Sequence, residues 1–169
     1  MLNKYKFKTL VVLFCVTFAS SWLANAQAAK DFSLNLGPNF ATLPAKLSGL
    51  KGQVVYLDFW ASWCKPCRKS FPWMNNMQQQ YAGQGLQIIT VNLDQEANLA
   101  EQFLTQTPTN LPIVYDPQGK IAEAYQLLGM PSSYLIDRAG NIRVSHAGFF
   151  SKKQKQYEQE IVSLLAEKE

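Results

Sequence analysis

The chain has 169 residues, 47% of them hydrophobic and 17% charged, with a formal charge of +4. That length suits one domain with a proper core, and that composition excludes a disordered or low-complexity chain. Residues 1–26 hold three lysines and no acid; without them 13 basic residues face 12 acidic ones, a net of +1, so the basic pI gives nucleic-acid binding no support.

Lys4, Lys6 and Lys8 precede an apolar run from Thr9 to Phe18, and Ala24-Asn25-Ala26 offers an A-x-A site before Gln27. This is the layout of a cleaved secretory signal, and the run falls short of the roughly 20 residues of a membrane span. An uncleaved N-terminal anchor is the alternative. Cys15 lies in the apolar run behind Val12-Leu13-Phe14, without the small residue that lipoprotein signals carry, and is expected to leave with the signal. The mature domain, residues 27–169, then keeps Cys64 and Cys67 alone. In the oxidising compartment that a signal implies, here the periplasm, a reduced dithiol needs an electron supply.

Phe32-Ser33-Leu34-Asn35-Leu36 alternates as a half-buried strand does, and Leu47 to Gly52 reads as a turn. Val54 to Phe59, rich in β-branched and aromatic residues, predicts a buried strand, and Arg68 to about Tyr81 a helix stopped by Gly83 and Gly85. Phe71, Met74, Met77 and Tyr81 make that helix's core-facing stripe. Leu86 to Leu93 is a second buried strand, joined to the first through a helix and hence parallel to it. A helix over Glu96 to Thr107, a short edge strand over Leu111 to Asp116 and a helix over Ile121 to Leu128 follow. Leu135 to Asp137 and Ile142 to His146 flank Arg138-Ala139-Gly140-Asn141 as a β-hairpin, and an amphipathic helix closes the chain from a Ser151 N-cap.

The chemistry concentrates in Trp60-Ala61-Ser62-Trp63-Cys64-Lys65-Pro66-Cys67. Two residues between the thiols let both sulfurs meet across a first helical turn, where unpaired N–H groups and the macrodipole favour a thiolate. Cys64, first in order and beside Lys65, is the candidate nucleophile; Cys67, one turn in, would attack the mixed disulfide and release the partner. A permanent structural disulfide and a metal site are the competing readings, but two cysteines do not complete a four-ligand sphere and His146 is the chain's one histidine. His146 on the hairpin is read as structural, and Asp94 and Glu96 as exposed acids near a helix start. Trp60 and Trp63 are expected to form an apolar collar, partly packing and partly substrate surface. No phosphate loop or dinucleotide fingerprint is present, so no organic cofactor is implied.

The string Asp58-Phe59-Trp60-Ala61-Ser62-Trp63-Cys64-Lys65-Pro66-Cys67, with Pro72 eight residues after Cys64, resembles the active site of thioredoxin-fold thiol–disulfide oxidoreductases. The layout of residues 30–165 is most similar to the TlpA/ResA-like (AhpC/TSA-redoxin) branch. The resemblance implies an α/β fold: a thioredoxin-like mixed sheet flanked by helices, with an N-terminal hairpin-like extension and an internal helix–strand insertion. It also implies that Asp58 lies beneath the cysteines and takes the proton of Cys67, where many TlpA-like relatives have asparagine. Met130-Pro131 resembles the family's cis-proline loop, so Trp63, Lys65, Pro66, Met130 and Pro131 are the expected substrate-facing residues. A monomer that exchanges disulfides with cysteine-containing proteins is expected, in the reducing direction, with apocytochromes c among the substrates and a membrane electron donor of the DsbD/CcdA type. A copper chaperone and a disulfide-donating oxidase are the alternatives of the same fold, and a peroxiredoxin-like peroxidase ranks below them.

Overall fold

Seven consecutive buried residues, Val54–Trp60, pass through the middle of a sheet whose two faces are both covered, which is why they read as one apolar run containing a single aspartate. This computed structural model describes residues 27–167; the signal with its cleavage site and Cys15 lie outside the described residues. In chain order the elements are β1 (Gln27–Ala28), β2 (Val54–Trp60), α1 (Cys67–Tyr81), β3 (Leu86–Asn92), α2 (Ala97–Gln106), β4 (Ile113–Tyr115), α3 (Lys120–Ala124), β5 (Ser132–Ile136), β6 (Asn141–Ala147) and α4 (Gln154–Ala166). The sheet order is β1-β6-β5-β2-β3-β4. β3 is parallel to β2 and to β4, whereas β5 is antiparallel to β2 and β6, and β1 to β6. This is the thioredoxin-like mixed sheet flanked by helices, with α2 and β4 as the internal insertion.

Alternation along β2 divides the core in two. Val54, Tyr56 and Trp60 join Phe71, Trp73, Met74 and Met77 of α1, Phe103 of α2, Tyr157 and Ile161 of α4, and both cysteines. Val55, Leu57 and Phe59 join Ile89, Val91, Tyr125 and the N-terminal Leu34, Leu47 and Leu50 on the opposite face. Each fully buried large side chain contributes about 1.5–3 kcal/mol, so both faces are needed to hold the central strand.

Three local expectations change. Phe32 to Leu36 keeps its alternating burial but makes only one bridge, Ser33 to Lys46, because Asn35 turns to a φ of +38°. The extension is therefore hairpin-like, and Leu47–Leu50 is a 3-10 turn. α3 stops at Ala124, four residues early: Gln126 adopts a φ of +52°, and Leu127 N–H bonds to Ala122 O while Gln126 N–H bonds to Glu123 O. That pair of bonds is a Schellman motif with glutamine where glycine is usual, and it leaves Leu128 97% exposed. Ser151 does not cap the last helix; it opens a 3-10 turn, and α4 starts at Gln154.

Candidate active site

β2 ends at Trp60, and the chain turns through Ala61-Ser62-Trp63 to reach Cys64, with Cys64 N–H bonded to Ala61 O and Cys67 N–H to Cys64 O. α1 begins at Cys67, so Cys64 sits one turn before the helix rather than inside it. The two are joined as a disulfide with a Cα–Cα separation of 5.4 Å. Cys64 is 3% exposed and Cys67 0%, so the first cysteine is the more accessible residue. Pro72 falls inside α1 and supplies no N–H to the carbonyl of Arg68, which relaxes the helix just past its first turn.

Asp58 is 2% exposed and shares the cysteine-bearing face with Tyr56 and Trp60. Its Oδ2 has no hydrogen-bond partner among the described residues, and burial pushes its carboxyl well above the usual range. A carboxylate so placed is a strong base that a neighbouring thiol proton would neutralise.

Trp63 stands 66% exposed beside the disulfide, and Lys65 and Pro66 are exposed between the cysteines. Trp60 is not part of a surface collar: it is fully buried against Phe71 and Phe103, at ring distances of 4.9 and 4.8 Å. The Met130–Pro131 peptide is cis. Met130 packs, half-buried, on the cluster that contains both cysteines. Ser132 Oγ donates to Gly129 O at 2.7 Å and Gly148 N–H to Pro131 O at 2.7 Å, so the loop is braced on both sides of the proline.

Glu96 is exposed at the start of α2, as expected. Asp94 is not: it is buried and accepts Ser62 N–H at 2.9 Å, Ser62 Oγ–H at 2.9 Å and Asn92 Nδ2–H at 2.8 Å. It pins the loop that carries Cys64 to the end of β3. The signal for this was the pair Asn92 and Asp94 at the C-terminal end of a strand parallel to β2, where such ends meet. His146, on β6, lies in a side-chain chain with Tyr56, Ser133 and Glu160 that no local string of residues announces. Among the described residues no three His, Cys, Asp or Glu side chains lie together as metal ligands would, and no helix is long and apolar enough to cross a membrane.

The AhpC/TSA family model matches residues 26–145. The chain is similar to the thiol-disulfide oxidoreductase ResA of Bacillus subtilis, 33% identical over 141 residues that cover 79% of this chain and 78% of the relative. It is also similar to the ResA of Bacillus thuringiensis subsp. konkukian, 29% identical over 160 residues, with 90% and 92% covered. A crystal structure described as that of a candidate thiol:disulfide interchange protein DsbE from Chlorobium tepidum superposes with a TM-score of 0.77 at 45% identity, covering 83% of this chain and 97% of that one.

Proposed function

The chain belongs to the AhpC/TSA family as a ResA-like thiol–disulfide oxidoreductase, and from that premise we propose that it reduces disulfides in secreted cysteine-containing proteins, outside the cytoplasm. The observation that carries this reading is the Cys64–Cys67 pair closed over the start of α1, with the buried carboxyl of Asp58 on the same side of the sheet. Cys64 thiolate attacks one sulfur of the substrate disulfide, the other substrate sulfur leaves and takes a proton, and a mixed disulfide forms. Cys67 passes its proton to Asp58 and attacks Cys64 Sγ; the second substrate sulfur leaves, and two electrons have moved to the substrate. Trp63, Lys65, Pro66 and Met130 form the surface the substrate meets, and Pro131 holds the strand edge beside the sulfurs.

The leader in residues 1–26 supports export, and a reductase working there is re-reduced by the dithiol of a membrane electron donor of the DsbD/CcdA type. Apocytochromes c suit such a substrate class, since their haem-attachment cysteines must be free thiols. The test is the Cys64–Cys67 reduction potential, measured on the chain from Gln27 onward. A value near about −270 mV is expected for a reductase; a value near about −120 mV means a disulfide donor and reverses the direction.

A further inference from the structure

Six large apolar side chains are exposed among the described residues, and three of them border the disulfide or the cis-proline loop. Trp63 adjoins Cys64, Leu128 stands three positions before Pro131, and Phe150 lies over Gly148, whose N–H holds Pro131 O. The glycine makes room for that ring, which comes to 3.2 Å from where a Cβ on residue 148 would sit. All three share one end of the sheet, where β2 stops, β5 begins and β6 ends. Exposed apolar residues scattered singly need no explanation; three gathered around a reactive pair do.

The rim outside them is cationic. Lys65 lies between the cysteines, and Arg68 and Lys69 are exposed on the first turn of α1. Arg68 leans over α2, its Cζ 4.8 Å from the Phe103 ring, and donates to Gln106 Oε1. Lys69 precedes Trp73 by one turn, and Trp73 packs on Phe149 at 5.6 Å, so Lys69 stands on the side of the turn that follows β6. That turn carries Lys152 and Lys153, both exposed, with Lys153 Nζ 5.7 Å from the Phe150 ring. None of the five pairs with a carboxylate among the described residues, where the ion pairs involve Arg143 and His146 alone. On α4, Glu158 is taken up by the Tyr81 hydroxyl and Glu160 lies against His146. The net of +1 on residues 27–169 therefore hides a strong local asymmetry at the reactive end.

We propose that this rim selects disulfides set among acidic residues: the apolar ledge seats the side chains next to the substrate cysteine, and the cations meet aspartates or glutamates a few residues to either side. The proposal rests on the site exchanging disulfides with polypeptides, and names the class of segment it takes. Each exposed ion pair is worth little by itself, so the selection acts through the summed field, on the rate of encounter more than on the lifetime of the complex. An anionic membrane surface would satisfy the same charges. The cations surround the sulfurs, however, and a bilayer laid across this end would cover the disulfide that must stay open to substrate.

The test compares three peptides that share one internal disulfide and differ only in the residues outside it, which are glutamate, asparagine or lysine. Each is mixed with the reduced protein in a single turnover. At low ionic strength the glutamate peptide should react about tenfold faster than the lysine peptide, with asparagine between them, and the spread should shrink to about twofold near 0.5 M salt. Lys152→Glu combined with Lys153→Glu should cut the spread to about a third. Lys30→Glu combined with Lys46→Glu makes the same change of charge on the N-terminal extension, away from this rim, and should leave the spread as it was. Equal losses in the two double variants would trace the preference to net charge and overturn the rim. Equal rates on all three peptides overturn the acidic preference and leave the exchange activity standing. Salt-sensitive binding to vesicles of equal parts phosphatidylcholine and phosphatidylglycerol would in that case give the cations to a membrane. If the reduced protein turns over none of the peptides, the reductase reading and the rim fall together.

Discussion

In the proposed reaction, Asp58 is the residue at which stability and activity oppose each other. Its carboxyl is raised well above 3.8 by burial, so the folded, oxidised protein holds a proton that the unfolded chain releases. The folded state therefore binds more protons in the window from about pH 4 up to the raised value, and the sign of the linkage makes stability fall as pH rises through that window. Asp58→Asn keeps the shape and removes the titration. Thermal unfolding of the oxidised form should lose its downward trend with pH in Asp58→Asn, while disulfide closure by Cys67 slows; a trend identical in the two proteins would assign the slope to other groups. His146 has the reverse sign: its lowered pKa makes it resist charging in the fold, so stability contributed by burying it neutral is lost as pH falls through its usual 6.5.

At the scale of elements, α3 depends on Asp116, whose carboxylate accepts the N–H groups of Lys120, Ile121 and Ala122 at 2.9, 2.8 and 3.0 Å and so caps a five-residue helix too short to stand alone. Asp116→Ala should cost about 1–2 kcal/mol in denaturant unfolding, with Asp116→Asn losing less. Loosening α3 also frees Tyr125, whose hydroxyl holds Lys30 O and whose ring packs on Phe32 and Phe59, so the N-terminal extension should become more open to proteolysis. The long elements, β2, α1, β3, α2 and α4, were legible in the sequence because their apolar period or run is written in consecutive residues. The early end of α3 was not: Gln126 takes a left-handed conformation that glutamine disfavours, and only the tertiary setting selects it. Nor was β1, two residues whose strand character exists only through pairing with Asn141 and Ile142. The same holds in the site. Cys64, Cys67 and Pro131 could be read from local strings, whereas Asp94 reaches Ser62 across 32 positions and His146 meets Glu160 only when α4 lies over the sheet.

Across the whole molecule the sheet separates chemistry from support. The cysteines, Asp58, Tyr56 and His146 lie with α1 and α4 on one face, and the opposite face packs Leu57, Phe59, Ile89 and Tyr125 against the N-terminal extension and α3. A reduction potential is the difference in free energy between two folded forms, so a substitution that weakens both equally cancels. Ile89→Val, fully buried on the far face, should lower unfolding stability by about 0.5–1.5 kcal/mol and leave the potential unmoved. Phe71→Leu removes a ring that packs on Trp60 and Phe103 in the same cluster as both sulfurs, so its loss is expected to act unequally on the open and closed forms of the pair. Its potential should shift by roughly 10–30 mV, the equivalent of about 0.5–1.4 kcal/mol of unequal effect on the two forms. Equal shifts from the two substitutions would mean that strain crosses the central strand, and that the face away from the cysteines tunes the redox couple as much as the face that holds them.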